Sequence, residues 1–230
     1  MAPTLGRCKT DKVRYTNEMR DSDSDSQEPG EQRPSLRAEH VAQTRAALVG
    51  AGRQLFGRSG FAATSVEDLA REAGVTTGAL YHHFPTKAAL FESVFERVHQ
   101  ELMTASNEAA LKASGPVDSL AAAFEAFLDK VLEPDVQRIV ITDAPAVLGP
   151  ARFTELDERD AFGAIVAVLK LAADSGALRA DDPATLARLL LGMLTRGGML
   201  IASSPEPVAT RDAVASTIRA ILAGLSSRPA

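Results

Sequence analysis

Tryptophan is absent from these 230 residues, and cysteine occurs once, at Cys8, inside a polar stretch. A single cysteine excludes an intrachain disulfide framework and a cysteine-based zinc site. Aromatic residues amount to 5% of the chain, so any core must be mainly aliphatic. Residues 1–20 are too polar for the apolar segment of a secretory leader. The most apolar run, residues 186–202, is interrupted by Arg188 and Arg196 and reads as too short to span a bilayer. These absences predict a cytoplasmic protein with no membrane partner. Enzyme signatures are lacking as well: there is no glycine-rich phosphate loop and no nucleophile elbow. The acidic cluster Glu155, Asp157, Glu158 and Asp160 has no histidine at helical spacing and reads as a solvated face. No enzyme, cofactor or metal is expected.

What is present is alanine, leucine and helical periodicity, with hydrophobic residues at 45%. No strand and no internal repeat is evident, so the chain reads as all-α. The net charge of −5 is unevenly spread: residues 33–100 sum to +2 and residues 101–230 to −5. A basic head on an acidic body suits a chain that meets phosphate at one end. Residues 1–36, with their DSDSDSQEPGEQRP segment, read as a disordered N-terminal extension. Within it, Met19 is an alternative start that leaves residues 1–18 dispensable.

The organising stretch is residues 65–84, SVEDLAREAGVTTGALYHHF. Thr64 and Glu67 have capping-box spacing for a helix carrying Val66, Leu69, Ala70 and Ala73. Gly74 supplies a left-handed turn, Val75 plugs it, and Thr76 caps a second helix from Thr77 to Phe84. Two short helices about a glycine turn make a helix-turn-helix, whose second helix enters the major groove. Small residues at its start, Thr77, Gly78 and Ala79, allow close approach; Tyr81, His82 and His83 supply polar reach. Adjacent histidines on a helix diverge, which argues against a metal site. Lys87, at the next helix N-terminus, suits a phosphate.

LYHHF followed by Pro85, Thr86, Lys87, Ala88, Ala89, Leu90 and Phe91 resembles the signature of the TetR family of transcriptional regulators. AALVGAGRQLFGRSGFAATSVEDLA matches the family's first helix and the approach to the second. The resemblance covers residues 41–101, and Thr76-Thr77 stands where many relatives carry Ser-Lys. It implies a three-helix DNA-binding head over residues 37–86 and a helical ligand-binding and dimerisation body over residues 87–230, about nine helices in all. The implied function is a sequence-specific repressor released by an unknown small-molecule effector. The implied partners are double-stranded DNA, as a pseudo-palindromic operator, and a second copy of the chain. DNA contacts are expected from Thr64, Ser65, Thr76, Thr77, Gly78, Ala79, Tyr81, His82, His83 and Lys87. The alternative is a helical dimeric adaptor or ligand-binding protein without DNA-binding activity.

In the body, Thr86 caps a long helix striped by Leu90, Phe91, Val94, Phe95, Val98 and Leu102, which links head and body. Helices are expected to open at Pro116, Pro134, about Ala151, Pro183 and Thr210, with Pro145 disturbing or ending the sixth. Three polar residues interrupt apolar stripes: His99, Asp143 and Arg196. With Phe124 and Phe127 they are candidates for a ligand cavity, or they pair with one another or emerge at a dimer seam. The last two helices present Leu186, Leu190, Met193, Gly197, Val214, Ile218, Ile221, Leu222 and Leu225. With little chain left to cover them, a two-fold partner is the expected cover.

Overall fold

Proline and glycine punctuate the chain, and helices fill the intervals. The computed structural model describes residues 36–226. The extension read over residues 1–36 and the Met19 start lie outside the described residues, save that Leu36 already opens the first helix. Among the described residues there are nine helices and no strand beyond one isolated bridge, Leu178 to Ser226. They are α1 (Leu36–Ser59), α2 (Val66–Glu72), α3 (Thr77–His83), α4 (Lys87–Lys112) and α5 (Pro116–Val131). α6 is composite, formed by Pro134–Val136, a π-helical stretch Gln137–Asp143, and Ala144–Leu148. α7 (Pro150–Asp174), α8 (Pro183–Ala202) and α9 (Pro207–Leu225) complete the body.

The head closes on aromatic edges. α1 stops at Gly60, whose φ of +82° is the left-handed value that glycine takes without a Cβ clash. This turn throws Phe61 back onto Phe56 at 5.8 Å between ring centroids, and both meet Phe91 of α4 at 5.3 Å. Leu69 of α2, Leu80 of α3, Phe84 and Leu90 are buried around this trio. Farther along, α4 buries Val94, Phe95, Val98, His99 and Leu102 in the body. One continuous helix therefore has its first turns in the head and its remainder in the body.

Of the two outcomes expected at Pro145, α6 shows disturbance rather than an end: it changes register. Proline lacks an N–H and crowds the carbonyl four residues back, here that of Ile141. The π stretch just ahead widens the turn, and Ala144 N–H donates to Ile139 O, five residues back. It also brings Ile141 against α8, where a Cβ on Gly198 would come within 2.8 Å of the Ile141 side chain. α9 opens at Pro207 rather than Thr210: proline fits a first helical position because its missing N–H has no helical partner there. Thr210 instead pairs its hydroxyl with Ser204 at 2.6 Å.

α8, at 20 residues, is by length and composition apolar enough to cross a membrane, which corrects the reading of this run as too short. Its apolarity has an intrachain use. Ala187, Leu190, Leu191, Leu194, Gly197, Gly198 and Ile201 are buried within the chain, while Arg188 and Arg196 are exposed.

Candidate nucleic-acid interface and effector cleft

Thr76 stands in extended backbone at the N-cap of α3 and accepts a hydrogen bond from Ala79 N–H at 3.1 Å. Leu80 turns inward with no exposure, which sends Tyr81, 48% exposed, and His82 outward. Thr76 and Gly78 are exposed on the first turn; Thr77, Ala79 and His83 are half-buried. Of the residues expected to contact DNA, α3 thus brings seven together on one short helix and its cap.

Ser65 caps α2, accepting from Asp68 N–H at 3.0 Å and donating its own proton to Asp68 Oδ2 at 2.6 Å. Thr64 had been expected to be the cap and a DNA contact. It is 4% exposed, and its hydroxyl lies 2.8 Å from Gly60 O and 3.3 Å from Leu55 O. A hydroxyl with both oxygens behind it cannot also face phosphate. Lys87 is likewise turned inward. Its ammonium donates to Phe61 O at 2.8 Å and Thr64 O at 2.9 Å and sits 4.2 Å over the Phe61 ring. The exposed cap of α4 is Thr86, which accepts from Ala89 N–H at 3.0 Å.

The far end of α3 is held by Arg45, which sequence reasoning missed. Its guanidinium lies 4.2 Å over the Phe84 ring, donates to Ser93 Oγ at 2.9 Å, and reaches His83 O at 3.4 Å. A cation at a helix C-terminus also complements the macrodipole.

Below the head, α4, α5, α7 and α8 leave a narrow cleft, partly open to solvent, with a cavity volume of about 60 Å³. Phe124 and Phe127 line it, as expected, with Met103, Ile165, Leu191 and Leu194. His99 stands just behind the wall. It is 1% exposed and stacks on Phe95 at 5.3 Å, with Nε2 3.2 Å from Asp157 Oδ1 and Nδ1 3.6 Å from Asp160 Oδ2. Asp157, not His99, reaches the cleft. The cluster read as a solvated face is therefore largely paired, since Glu155 meets Arg152 and Glu158 meets Arg188. Among the described residues no group of histidine, cysteine and carboxylates could hold a metal.

Asp143 lies outside the cleft. Its Oδ2 accepts from Phe61 N–H at 2.7 Å, joining α6 to the turn between α1 and α2. A second joint lies one helix turn away on α1. Arg53 donates to Asp135 at 2.8 Å and to Glu101 at 2.5 Å, and a Cβ on Gly57 would come within 2.7 Å of Asp135 Cβ.

Arg196 is exposed on a shallow groove between α8 and α9, with Met193, Gly197, Leu200, Val214 and Ile218. The residues expected to meet a partner divide there. Leu190, Ile218 and Leu222 are 2%, 3% and 1% exposed, and Gly197 is buried too, all within their own chain. Leu186, Met193, Val214 and Leu225 are half-buried, and Ile221 is 41% exposed. The face left open adds Leu189 at 67% and Leu200 at 44%.

The helix-turn-helix matches the family model of bacterial regulatory proteins, tetR family, over residues 48–94. The body matches the tetracyclin repressor-like C-terminal domain over residues 117–225. A solved TetR-family transcriptional regulator from Pectobacterium atrosepticum superposes with a TM-score of 0.75 at 30% identity, over 86% of this chain and 100% of that one. The chain belongs to the TetR family. Another TetR-type relative, the HTH-type transcriptional repressor BepR of Brucella suis, is 29% identical over 172 residues, 70% of this chain and 80% of that protein. SmeT, solved as a complex with triclosan, matches with a TM-score of 0.62 at 25% identity, over 80% of this chain and 92% of that one.

As a TetR-family member the chain is a helix-turn-helix, DNA-binding transcriptional regulator. Its all-α architecture, head before body, is that of its relatives. The residues that steady this TetR head, Arg45, Lys87 and Asp143, are charged side chains spent on backbone atoms or buried rings. Composition and spacing carry no signal for such use. Ser106, on the cleft wall with a buried hydroxyl that has no hydrogen-bond partner, was missed for a similar reason: a serine inside a helix is ordinary until its surroundings are known.

Proposed function

We propose that this regulator is a repressor that binds a pseudo-palindromic operator as a homodimer and is released by a small molecule held in the cleft. The observation that carries the reading is the outward face of α3, where Thr76, Gly78, Tyr81 and His82 are exposed around an anchored Leu80. Small residues at the start of α3 let its backbone approach base edges, and Tyr81 and His82 suit phosphates or bases beyond. Ser65 and the exposed N-terminus of α4 offer further backbone N–H groups to phosphate.

A head this small offers too few contacts for specific binding at physiological salt, so two heads on one two-fold axis are required. The open apolar strip of Leu189, Leu200 and Ile221 on α8 and α9 supports that pairing. The triclosan complex of SmeT supports a small-molecule effector. Release follows from shared parts. A ligand wedged between α4 and α7 shifts α4, whose first turn carries the head, and alters the separation of the two recognition helices.

The test is selection of bound duplexes from a random library, followed by anisotropy titration against salt. A two-fold symmetric consensus bound with a steep salt slope is expected. Binding without symmetry, or no selected consensus, would remove the operator-reading model.

A further inference from the structure

Resting on the reading of the cleft as an effector site, we propose that the effector is a cationic amphiphile: an apolar body ending in a protonated amine seated on Asp157. Three observations lead there. The walls are aromatic and aliphatic, with Phe124, Phe127, Leu191 and Leu194 around the space. None of the lining residues is basic, and the one ionisable side chain among them is Asp157. The remaining polar groups are uncharged: Thr195, Ser106 and Asn107, the last two able to donate or accept. Thr195 has already given its proton to Leu191 O at 3.1 Å, and the Asp157 carboxylate can only accept. Ser106 Oγ is buried without a hydrogen-bond partner, which costs free energy until a ligand or water fills the place. A lone carboxylate on an otherwise uncharged, mainly apolar wall calls for a ligand that is positive and can donate to it. A carboxylate ligand would meet like charge with no cation to offset it.

The same carboxylate ties the cleft to α4. Asp157 Oδ1 accepts the His99 ring N–H, and His99 lies in the body half of the helix that begins in the head. An ammonium arriving at Asp157 competes with that ring for the oxygen. The other charge facing His99, Asp160, is paired with Arg159. Ligand charge and helix position are thus coupled at one atom.

The test uses three probes with one body: 4-phenylbutylamine, 4-phenylbutan-1-ol and 4-phenylbutanoate. Binding to the full chain is measured by calorimetry at about pH 7.5, where the amine is protonated as a lysine is. The amine should bind tightest and roughly tenfold or more tighter than the carboxylate, as for an opposite charge within a few ångströms. Asp157→Asn should remove that preference while leaving the alcohol unchanged, the amide oxygen still accepting from His99. If that variant does not fold, Ala164→Phe, at the rim of the cleft, should weaken all three probes. A carboxylate bound as tightly as the amine, a preference surviving Asp157→Asn, unaltered binding to Ala164→Phe, or no amine binding up to about 5 mM each overturns the proposal. Operator release is read separately. The expected order of affinities without release keeps the ligand class and overturns the effector reading; release by the amine supports both.

Discussion

Lys87 opens α4 beside the recognition helix, where a free ammonium would meet phosphate, yet it is spent on the carbonyls of Phe61 and Thr64. Those carbonyls close the turn after α1, so Lys87 acts as a pin inside the head. Lys87→Ala should lower unfolding stability by about 1.5–3 kcal/mol, the range for hydrogen bonds from a charged group. Its operator affinity should fall without a change in salt slope, because no counterion-releasing contact is lost. Tyr81→Ala should do the reverse, weakening operator binding while the unfolding midpoint stays within ~0.5 kcal/mol of wild type. Denaturant titration and anisotropy across a salt series, run on both variants, separate pin from contact. A reduced slope for Lys87→Ala would return its ammonium to the DNA.

Among the elements, α6 joins head to body through two carboxylates, Asp143 on the Phe61 N–H and Asp135 on Arg53. Its π stretch ends at Asp143, which holds the Phe61 N–H. Asp143→Ala should cost about 1–3 kcal/mol by stranding that amide. Faster hydrogen exchange at Phe61, with body amides unchanged, is the expected signature. α7 supplies the second case. Hydrogen bonds from Arg159 hold the Asp160 carboxyl below its usual range. A carboxyl depressed in the folded state binds protons more readily when unfolded. Its stabilisation is therefore present above the ordinary carboxylate pKa and is lost as pH falls through the lower folded value. Asp160→Asn should flatten the acid limb of a stability–pH profile and leave the slope near neutrality unchanged. An acid limb as steep as wild type would show that this pair contributes nothing there.

For the whole molecule, the question is which face of α8 and α9 meets the partner. Leu200 and Leu189 stand outward, whereas Ile218 is closed within its own chain. In the dimer proposed above, Leu200→Glu should yield a folded monomer with greatly weakened operator binding, since like charges would crowd the two-fold axis. Ile218→Glu should instead unfold the body by burying an unpaired carboxylate. Sedimentation with circular dichroism distinguishes the two outcomes. A dimeric Leu200→Glu chain that binds operator at wild-type strength would place the seam elsewhere.

The local plan was legible in the residues. Gly60 and Gly74 mark left-handed turns, Thr76, Thr86 and Asp182 cap their helices, and prolines at first helical positions open others. These signals act within one turn of chain, so the nine helices and the helix-turn-helix could be read directly. The stripes also showed which helices were amphipathic. They did not show which neighbour covers each stripe, because burial against the same chain and burial against a partner select the same side chains. That is why Leu190, Ile218 and Leu222 read as a seam and proved to be core. Polar groups shared the difficulty more acutely. The partners of Thr64, Lys87, His99 and Asp143 lie from 4 to 82 positions away. A hydroxyl, ammonium or carboxylate is committed to one acceptor or donor only when packing brings the two within about 3 Å. Periodicity and capping are local and can be read from the chain; the use of each charge is decided by tertiary structure.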